Sequence, residues 1–193
     1  MRRRRTRVEA EPPGNEASLE IAARFLGTRP RSRWEVERRL QRAHAPETVI
    51  QSTLDRLTRL GLVDDLAFAR WWVEQRDRHA PRGRRLVEAE LRQHGVGREV
   101  IEYLREELAA LERQAYSPDD AAEVDGEGAG DTPATDEGRA KVALAQHLRG
   151  RRLPQDRQAL QRLGMFLVRR GFDPDTVRAT LRASEPTDSE GEE

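Results

Sequence analysis

Two adjacent carboxylates, Asp64 and Asp65, form the pair in this sequence with the clearest capacity for chemistry, because such a pair can hold a cation or act as acid and base. The pair stands directly before a helical pattern of apolar residues. Carboxylates at that place accept hydrogen bonds from the first N–H groups of the helix and face its positive end. We therefore predict that Asp64 and Asp65 are helix-start caps.

The remaining residues offer no catalytic or metal-binding set. The chain has no cysteine, which excludes disulfides and thiolate metal sites. Its four histidines lack the spacing of a ligand set, and the sequence shows no nucleophile–base pair or phosphate-binding loop. The sequence thus predicts no catalytic residue, no metal and no cofactor, and a protein that is not an enzyme.

Arginines stand in three clusters, of which the first opens a predicted helix, the second flanks a predicted loop and the third ends a helix. Because a guanidinium pairs bidentately with carboxylates and phosphates, the clusters together predict an interface with an acidic protein surface or a polyanion. Taken singly, each arginine is better explained by a solvated helix face, and only the clusters together favour an interface. The eight residues of the predicted interface are Arg82, Arg84, Arg85, Arg149, Arg151, Arg152, Arg169 and Arg170.

Charge is segregated along the chain although the formal net charge is zero. Residues 117–137 contain eight acidic and no basic residues, and residues 185–193 contain five more acidic residues. The rest of the chain is therefore basic, which favours a polyanion or an acidic protein surface as the partner. We expect both acidic segments to be disordered, and we hypothesise that they compete with DNA for the basic body.

Apolar residues recur at helical spacing in three similar segments. Hydrophobic residues make up 36% of the chain, which suits thin helical layers better than one large core. In each segment a leucine is followed four residues later by a helix stop and ten residues later by Ile or Val. The leucines are Leu40, Leu91 and Leu167, the stops are His44, Gly95 and Gly171, and the last positions are Ile50, Ile101 and Val177.

This register predicts an all-α fold, a tandem array of three three-helix repeats that is elongated and curved. A single irregular helical domain is the alternative. No apolar stretch approaches the about 20 residues needed to cross a bilayer, so we expect a cytoplasmic protein without membrane contact. The predicted segments are a basic disordered tail (1–16), repeat 1 (17–62), repeat 2 (63–112), an acidic flexible insert (113–138), repeat 3 (139–184) and an acidic disordered tail (185–193).

The aromatic residues divide into core and surface positions. Helical spacing predicts that Trp34, Phe68 and Trp72 pack in the core. Trp71 is expected to be partly exposed and available to a partner, because its neighbour takes the core position.

Three groups of residues resemble the repeat signatures of the RecX family. They stand in the family's order and spacing, and the resemblance covers roughly residues 17–112 and 139–183. The four consecutive arginines near the N-terminus, the acidic middle stretch and the acidic C-terminus depart from the family pattern. The matching residues are Leu60, Gly61, Asp64, Asp65, Phe68 and Ala69 in the first group, Gly83, Arg84, Arg85, Leu86, Leu91, Gly95 and Val96 in the second, and Arg169, Arg170, Gly171 and Phe172 in the third.

The resemblance implies a cytoplasmic, non-enzymatic regulator made of three tandem helical repeats. Proteins of this family bind along the groove of the RecA–DNA filament and mostly inhibit ATP hydrolysis, recombinase activity and strand exchange in DNA repair. The implied partners are the RecA filament and, for direct binding, single- or double-stranded DNA, and we expect a monomer. The alternatives are a helical DNA-binding protein that acts without a filament partner and an adaptor for another protein.

If the acidic C-terminus competes with DNA, deletion of residues 185–193 will strengthen DNA binding at low salt, because the competing charge is removed. Fluorescence anisotropy with a labelled duplex measures the affinity. An unchanged affinity would contradict the competition.

Overall fold

The structure, a computed structural model, describes residues 11–115 and 135–184. These residues form nine α-helices and contain no strand, as the all-α prediction requires. Most of the predicted acidic insert and of the two tails lies outside the described residues. The helices are α1 (Asn15–Leu26), α2 (Arg33–Arg42), α3 (Glu47–Arg59), α4 (Asp65–His79), α5 (Arg84–Gln93), α6 (Arg98–Ala115), α7 (Asp136–Leu148), α8 (Arg157–Arg169) and α9 (Pro174–Ala183).

Three helices extend into segments that the sequence assigns to a tail or to the insert. Helix α1 begins at Asn15, α6 continues to Ala115, and α7 begins at Asp136. Glu, Arg and Ala are good helix formers, so the charged composition near the insert did not end these helices. The Thr135 side chain accepts a hydrogen bond from Gly138 N at 3.0 Å and caps α7.

The described residues fall into two compact units. The first contains residues 11–68 and 94–96, and the second contains residues 69–93, 97–115 and 135–184. Each buries apolar side chains between short helices. The core of the first unit consists of Ala22, Val36, Leu40, Ile50, Leu54, Leu57 and Val63, and the second unit contains a cluster of Ala140, Ala143, Leu144, Leu163, Leu167, Phe172 and Val177.

Backbone geometry confirms the predicted register of the three repeats. All three stop residues adopt the left-handed conformation that ends a helix. In the first and third repeats, the following residue closes the helix on the aligned leucine: Ala45 N donates to Leu40 O at 3.2 Å, and Phe172 N donates to Leu167 O at 3.3 Å. The φ angles are 59° at His44, 76° at Gly95 and 88° at Gly171.

Within the first unit, two contacts join the start of α2 to the second repeat. The Asp65 carboxylate accepts a hydrogen bond from Arg33 N, the first residue of α2, at 2.8 Å. The Ser32 hydroxyl donates to the carbonyl oxygen of His94 at 2.5 Å. The first free N–H group of α2, that of Arg33, is therefore satisfied by the next repeat.

Within the second unit, corresponding contacts recur at the start of α5, where the backbone N–H of Gly83 donates in place of the Ser32 hydroxyl. The Asp136 carboxylate accepts from Arg84 N at 3.1 Å, and Gly83 N donates to the carbonyl oxygen of Arg170 at 2.9 Å. Arg84 occupies the place in the second repeat that Arg33 occupies in the first. The repeats are thus joined by one contact pattern, used twice.

The predicted caps are confirmed at Asp64 and corrected at Asp65. The Asp64 carboxylate accepts from Leu66 N at 2.8 Å and Ala67 N at 3.1 Å, so it caps α4. Asp65 is the first residue of α4, but its carboxylate bonds the start of α2 instead. Its side chain points away from the α4 N–H groups because Asp64 already fills the capping position.

A buried ion pair adds to the contacts of the second unit. The Arg139 guanidinium, 5% exposed, binds Asp77 through Nε at 2.8 Å and Nη2 at 3.1 Å, and Asp136 through Nη1 at 3.3 Å. Burial opposes its charge, but the hydrogen bonds and charges of these two carboxylates raise the pKa of Arg139 above its ordinary value. The guanidinium therefore stays charged and links α4 to α7.

The aromatic predictions hold at Phe68 and Trp71, whereas the core positions predicted for Trp34 and Trp72 are not found. Phe68 is 1% exposed, Trp71 and Trp72 are half-buried, and Trp34 is 41% exposed. Helix α2 turns Val36 and Leu40 into the core, and Trp34 lies elsewhere on this ten-residue helix, against Gly95.

A methyl group added at Gly171 is expected to destabilise the fold more than one added at Gly61. Both glycines are left-handed, so each Gly→Ala change costs about 1–2 kcal/mol in backbone strain. A Cβ at Gly61 meets nothing within 4 Å, whereas one at Gly171 overlaps Leu86 Cβ and lies 2.8 Å from Leu86 N. Overpacking adds about 1–3 kcal/mol, so urea unfolding will show a larger loss for G171A than for G61A. Equal losses would contradict the close approach.

Replacing Arg139 by Met is expected to cost about 3–5 kcal/mol at pH 7, because Asp77 and Asp136 lose their buried counter-ion. Lys141→Met, which breaks the exposed pair with Glu137, is the control and is expected to cost less than about 1 kcal/mol. Urea unfolding measures both losses.

The deficit of R139M is also expected to shrink at low pH. Burial raises the pKa of Asp77, and Arg139 partly offsets this in the parent chain. Without Arg139 the pKa of Asp77 in the folded state rises further. The variant therefore loses stability as the pH rises from about 3.9, the pKa in the unfolded chain, through the pKa in the folded state. A loss of stability that stays constant between pH 4 and pH 7 would show that the charge of Asp77 does not cause it.

Candidate functional site

The eight arginines of the predicted interface all lie in the second unit, where the structure separates them by exposure. Five are exposed and can meet a partner without disturbing the fold. Three are half-buried and already make contacts within the chain. The exposed residues are Arg85, Arg149, Arg151, Arg152 and Arg169, and the half-buried ones are Arg82, Arg84 and Arg170.

The buried carboxylate of Glu90 gathers three donors, among them Arg82. Glu90 lies on α5 and is only 7% exposed. Its carboxylate accepts from Trp72 Nε1 at 2.9 Å and from Arg76 Nε at 2.8 Å, and it pairs with the Arg82 guanidinium. The Arg76 guanidinium also lies over the Trp72 ring, 4.3 Å from its centroid. Arg82 is therefore part of the fold.

Arg170 also supports the fold, through both its backbone and its side chain. Its guanidinium donates to the carbonyl oxygen of Pro81 at 3.1 Å and lies 4.8 Å from the centroid of the Phe166 ring. Burial lowers the pKa of Arg82, and the charges of Arg76 and Arg170 lower it further. Arg76 and Arg82 thus both pair with Glu90, and the guanidinium of Arg170 lies close enough to act on Arg82.

Aromatic rings form a stack beside this region. His147, in the last turn of α7, lies against Phe166 of α8 with ring centroids 4.0 Å apart and an interplanar angle of 29°. One surface groove beside the stack is lined by Gln146, His147, Arg149, Arg151, Phe166 and Arg170. A second groove is lined by His147, Gln158, Gln161, Arg162, Leu163, Met165, Phe166 and Arg169.

The structure thus brings four of the predicted residues beside the ring pair. The first groove is lined by Arg149, Arg151 and Arg170, and the second is lined by Arg169. Arg85 is near the start of α9. Hydrogen bonds from Thr176 and Asp175 lower the pKa of Asp173, and the charge of Arg85 makes a smaller contribution in the same direction. Arg152 lines neither groove. The eight residues are therefore not one continuous site, and their assignment to an interface stays a prediction.

Sequence reasoning missed the carboxylate and the rings that organise this surface. Glu90 follows Val87 by three residues and precedes Leu91, so it falls on the apolar face of α5. A carboxylate on an apolar face needs a cation partner, so the position of Glu90 in the sequence could have indicated an ion pair. The His147–Phe166 pair has no such signal, because the two residues are on different helices.

Geometrically, the surface suits the binding of an anionic partner and offers no metal site. Within residues 11–115 and 135–184, no group of three or more His, Asp or Glu side chains is placed to hold a metal ion. In the same residues no helix has the length and apolar character to span a membrane.

Two family models match this chain. The model for the RecX first three-helix domain matches residues 19–57, and the model for the RecX second three-helix domain matches residues 64–103. These matches fall within the first two predicted repeats.

Curated relatives extend the similarity over most of the chain. The regulatory protein RecX of Mycolicibacterium vanbaalenii is 34% identical over 176 residues, which cover 86% of this chain and 83% of the relative. The regulatory protein RecX of Thermobifida fusca is 32% identical over 192 residues, which cover 94% and 89%.

Solved structures show the same fold. The crystal structure of RecX from Lactobacillus salivarius matches with a TM-score of 0.63 at 17% identity and covers 87% of this chain and 94% of that one. A second crystal structure of regulatory protein RecX matches with a TM-score of 0.58 at 19% identity, covering 86% and 72%. With the identity to the curated relatives, these findings confirm the resemblance in the sequence: the chain belongs to the RecX family.

Proposed function

We propose that this chain regulates RecA by binding the RecA–DNA filament and mostly inhibiting its ATP hydrolysis, recombinase activity and strand exchange in DNA repair. The observation that carries this proposal is the similarity to proteins named regulatory protein RecX over 86% of the chain. The filament as the partner is the step that the proposal adds to that name.

The exposed arginines support an anionic partner surface. Arg149 and Arg169 are exposed and line separate grooves beside the His147–Phe166 pair. A planar guanidinium pairs bidentately with a carboxylate, so these residues suit acidic side chains on a protein surface. We expect them to contact the filament, whereas Arg82, Arg84 and Arg170 serve mainly to hold the second unit together.

Inhibition of this kind needs stiffness and no catalytic group. If hydrolysis in the filament requires protomers to shift, a ligand that binds one arrangement more tightly opposes the shift. The second unit is suited to this because backbone hydrogen bonds and the buried pair of Arg139 with Asp77 fix its helices. We therefore propose a non-enzymatic regulator that acts as a monomer in the cytoplasm.

A second candidate is a helical DNA-binding protein that acts without a filament partner. The aromatic pair flanked by arginines favours this candidate, because nucleic-acid-binding surfaces combine rings with positive charge. The two candidates differ in whether RecA itself responds to the protein.

The chain is expected to inhibit ATP hydrolysis by the cognate RecA on single-stranded DNA at amounts well below one molecule per RecA protomer. The double variant R149E/R169E is expected to need a concentration about ten-fold higher or more, which corresponds to the loss of about 1.4 kcal/mol of binding. Release of phosphate during a titration measures both.

The matched control is R178E/R182E, which reverses two charges of the same unit on α9, outside both grooves. This control is expected to inhibit like the parent chain. If the parent chain binds DNA tightly yet leaves hydrolysis and strand exchange unchanged, the second candidate replaces the first.

A further inference from the structure

We propose that the groove between α8 and α9, here named the third-repeat groove, is a docking site for an amphipathic helix of a second partner protein, one whose apolar face is flanked by acidic side chains. The partner is a protein other than RecA, so the site goes beyond the regulation proposed above. Neither Arg149 nor Arg169 lines it. Its apolar lining consists of Leu160, Gly164, Met165, Val168, Val177 and Leu181.

The third-repeat groove exposes apolar side chains to solvent. Met165 is 48% exposed and Val168 is 42% exposed, and the two stand three residues apart on α8. Leu160 of α8 and Leu181 of α9 are half-buried beside them. Exposed apolar side chains that gather in one place mark contact sites for other molecules, whereas single ones scattered over a surface need no explanation.

The second repeat closes the corresponding groove with an ion pair. Glu88 of α5 stands where the third repeat has Gly164, because each precedes the aligned leucine by three residues. Arg105 of α6 stands where the third repeat has Leu181, four residues after the aligned Ile or Val. The Arg105 guanidinium binds the Glu88 carboxylate through Nε and Nη2, both at 2.9 Å. Charged side chains therefore join the two helices where the third repeat is apolar.

The first repeat closes its groove in a similar way. Arg33 of α2 stands where the third repeat has Leu160, and its guanidinium binds Asp55 of α3 at 3.2 Å. Gln41 takes the place of Val168. Among the three repeats in the described residues, the third therefore differs in leaving this groove apolar.

Gly164 keeps the floor of the groove free of a side chain, although glycine weakens a helix. A glycine inside a helix is less favourable than alanine, because it loses more backbone freedom on folding. A Cβ at this position would meet Val177 Cγ1 at 3.7 Å and Leu181 Cδ1 at 3.8 Å, which are ordinary contacts. Packing within the chain thus does not require glycine here, and its effect is to leave space against α9 for a side chain of a partner.

The charge of the groove indicates which kind of helix fits. Arg157 and Arg178 line the groove and are exposed, and none of the described residues that line it is acidic. Arg178 also pairs with Asp175 of its own helix, but both side chains are exposed, and pairs of that kind are weak. A helix bound in a groove presents apolar anchors at i, i+3 or i+4 and i+7. Acidic residues beside those anchors would pair with the two arginines.

Other occupants fit the groove less well. Residues 185–193, which follow α9 in the chain, contain acidic but no apolar side chains, and residues 116–134 contain only Tyr116 and Val124 as large apolar residues. Neither segment can supply three turns of apolar anchors. A second copy that docked through the same face would bring Arg157 and Arg178 of both copies together, which like-charge repulsion opposes.

The first test titrates the full chain into a fluorescent peptide and measures anisotropy. The probe is an alanine-based helical peptide of about 18 residues, with leucines at i, i+4, i+7 and i+11 and glutamates beside them. We expect saturable binding, and binding about ten-fold weaker when lysines replace the glutamates, because the arginines repel them. The absence of saturable binding, or equal binding of the lysine peptide, would overturn the inference.

Gly164→Glu gives the third repeat the carboxylate that the second repeat has at this place. It is expected to weaken binding of the acidic peptide about ten-fold or more, because the new side chain fills the groove and repels the glutamates. Its midpoint of thermal unfolding is not expected to fall, because glutamate is the better helix former. Lost binding with unchanged unfolding therefore separates a docking role from a structural one, and undiminished binding would contradict the site.

Val168→Gln tests the apolar contact separately. It gives α8 the residue that the first repeat has, and it is expected to weaken binding of the acidic peptide about five-fold. Leu111→Gln is the matched control, because Leu111 is 49% exposed in the same unit but does not line the groove. The control is expected to bind like the parent chain. Equal losses in the two variants would show that the peptide binds elsewhere.

Arg178 and Arg182 provide a matched pair for the charge. Both are exposed on α9, but only Arg178 lines the groove. Arg178→Glu is expected to weaken binding of the acidic peptide and to strengthen binding of the lysine peptide, because it reverses the charge that selects between them. Arg182→Glu is expected to alter both affinities less. The same response in both variants would count against recognition of acidic flanks in this groove.

Sedimentation of the chain alone and RecA hydrolysis complete the test. A dimer that V168Q abolishes would assign the groove to a second copy and overturn the partner helix. V168Q is expected to inhibit RecA like the parent chain, and loss of that inhibition would place the filament itself in the groove. If the chain binds the acidic peptide as described but leaves hydrolysis unchanged, the groove stands and the proposed function is wrong.

Discussion

The structure depends on carboxylates that reach from one repeat to the helix start of the repeat before it. Asp65 binds the first N–H of α2, and Asp136 binds the first N–H of α5. A helix begins with N–H groups that have no partner inside the helix, and a capping contact of this kind contributes about 0.5–2 kcal/mol. Apolar residues make up only 36% of the chain, so directional contacts carry much of the positioning that a large core provides elsewhere.

Glycine completes each junction because the turn of the following repeat approaches this helix start closely. Gly95 lies against Trp34, and Gly171 lies against Leu86, where a side chain would overlap. His44 has the same left-handed conformation in the first repeat, so the conformation alone does not require glycine. The close approach between repeats is what requires glycine. At aligned positions, it distinguishes a glycine that joins two repeats from a residue that only ends a helix.

Local features of the fold were predictable from the sequence, whereas contacts between distant segments were not. The helix stops and the Asp64 cap depend on residues within a few positions, and both were predicted correctly. The carboxylate of Asp65 instead finds a partner 32 residues away, and the Arg170 guanidinium finds one 89 residues away. Sequence clusters therefore predicted where arginines gather, but only the structure separates those that hold the fold from those that face solvent.

The contacts that attach the third repeat have a consequence for how the chain can be divided. Asp136 and Arg139 bind residues that precede the acidic insert, and so does the backbone of Arg170. None of these contacts runs through residues 116–134. If the chain were cut in that segment, these contacts would hold the two fragments together. The pair could therefore serve as a reporter that reassembles by fragment complementation.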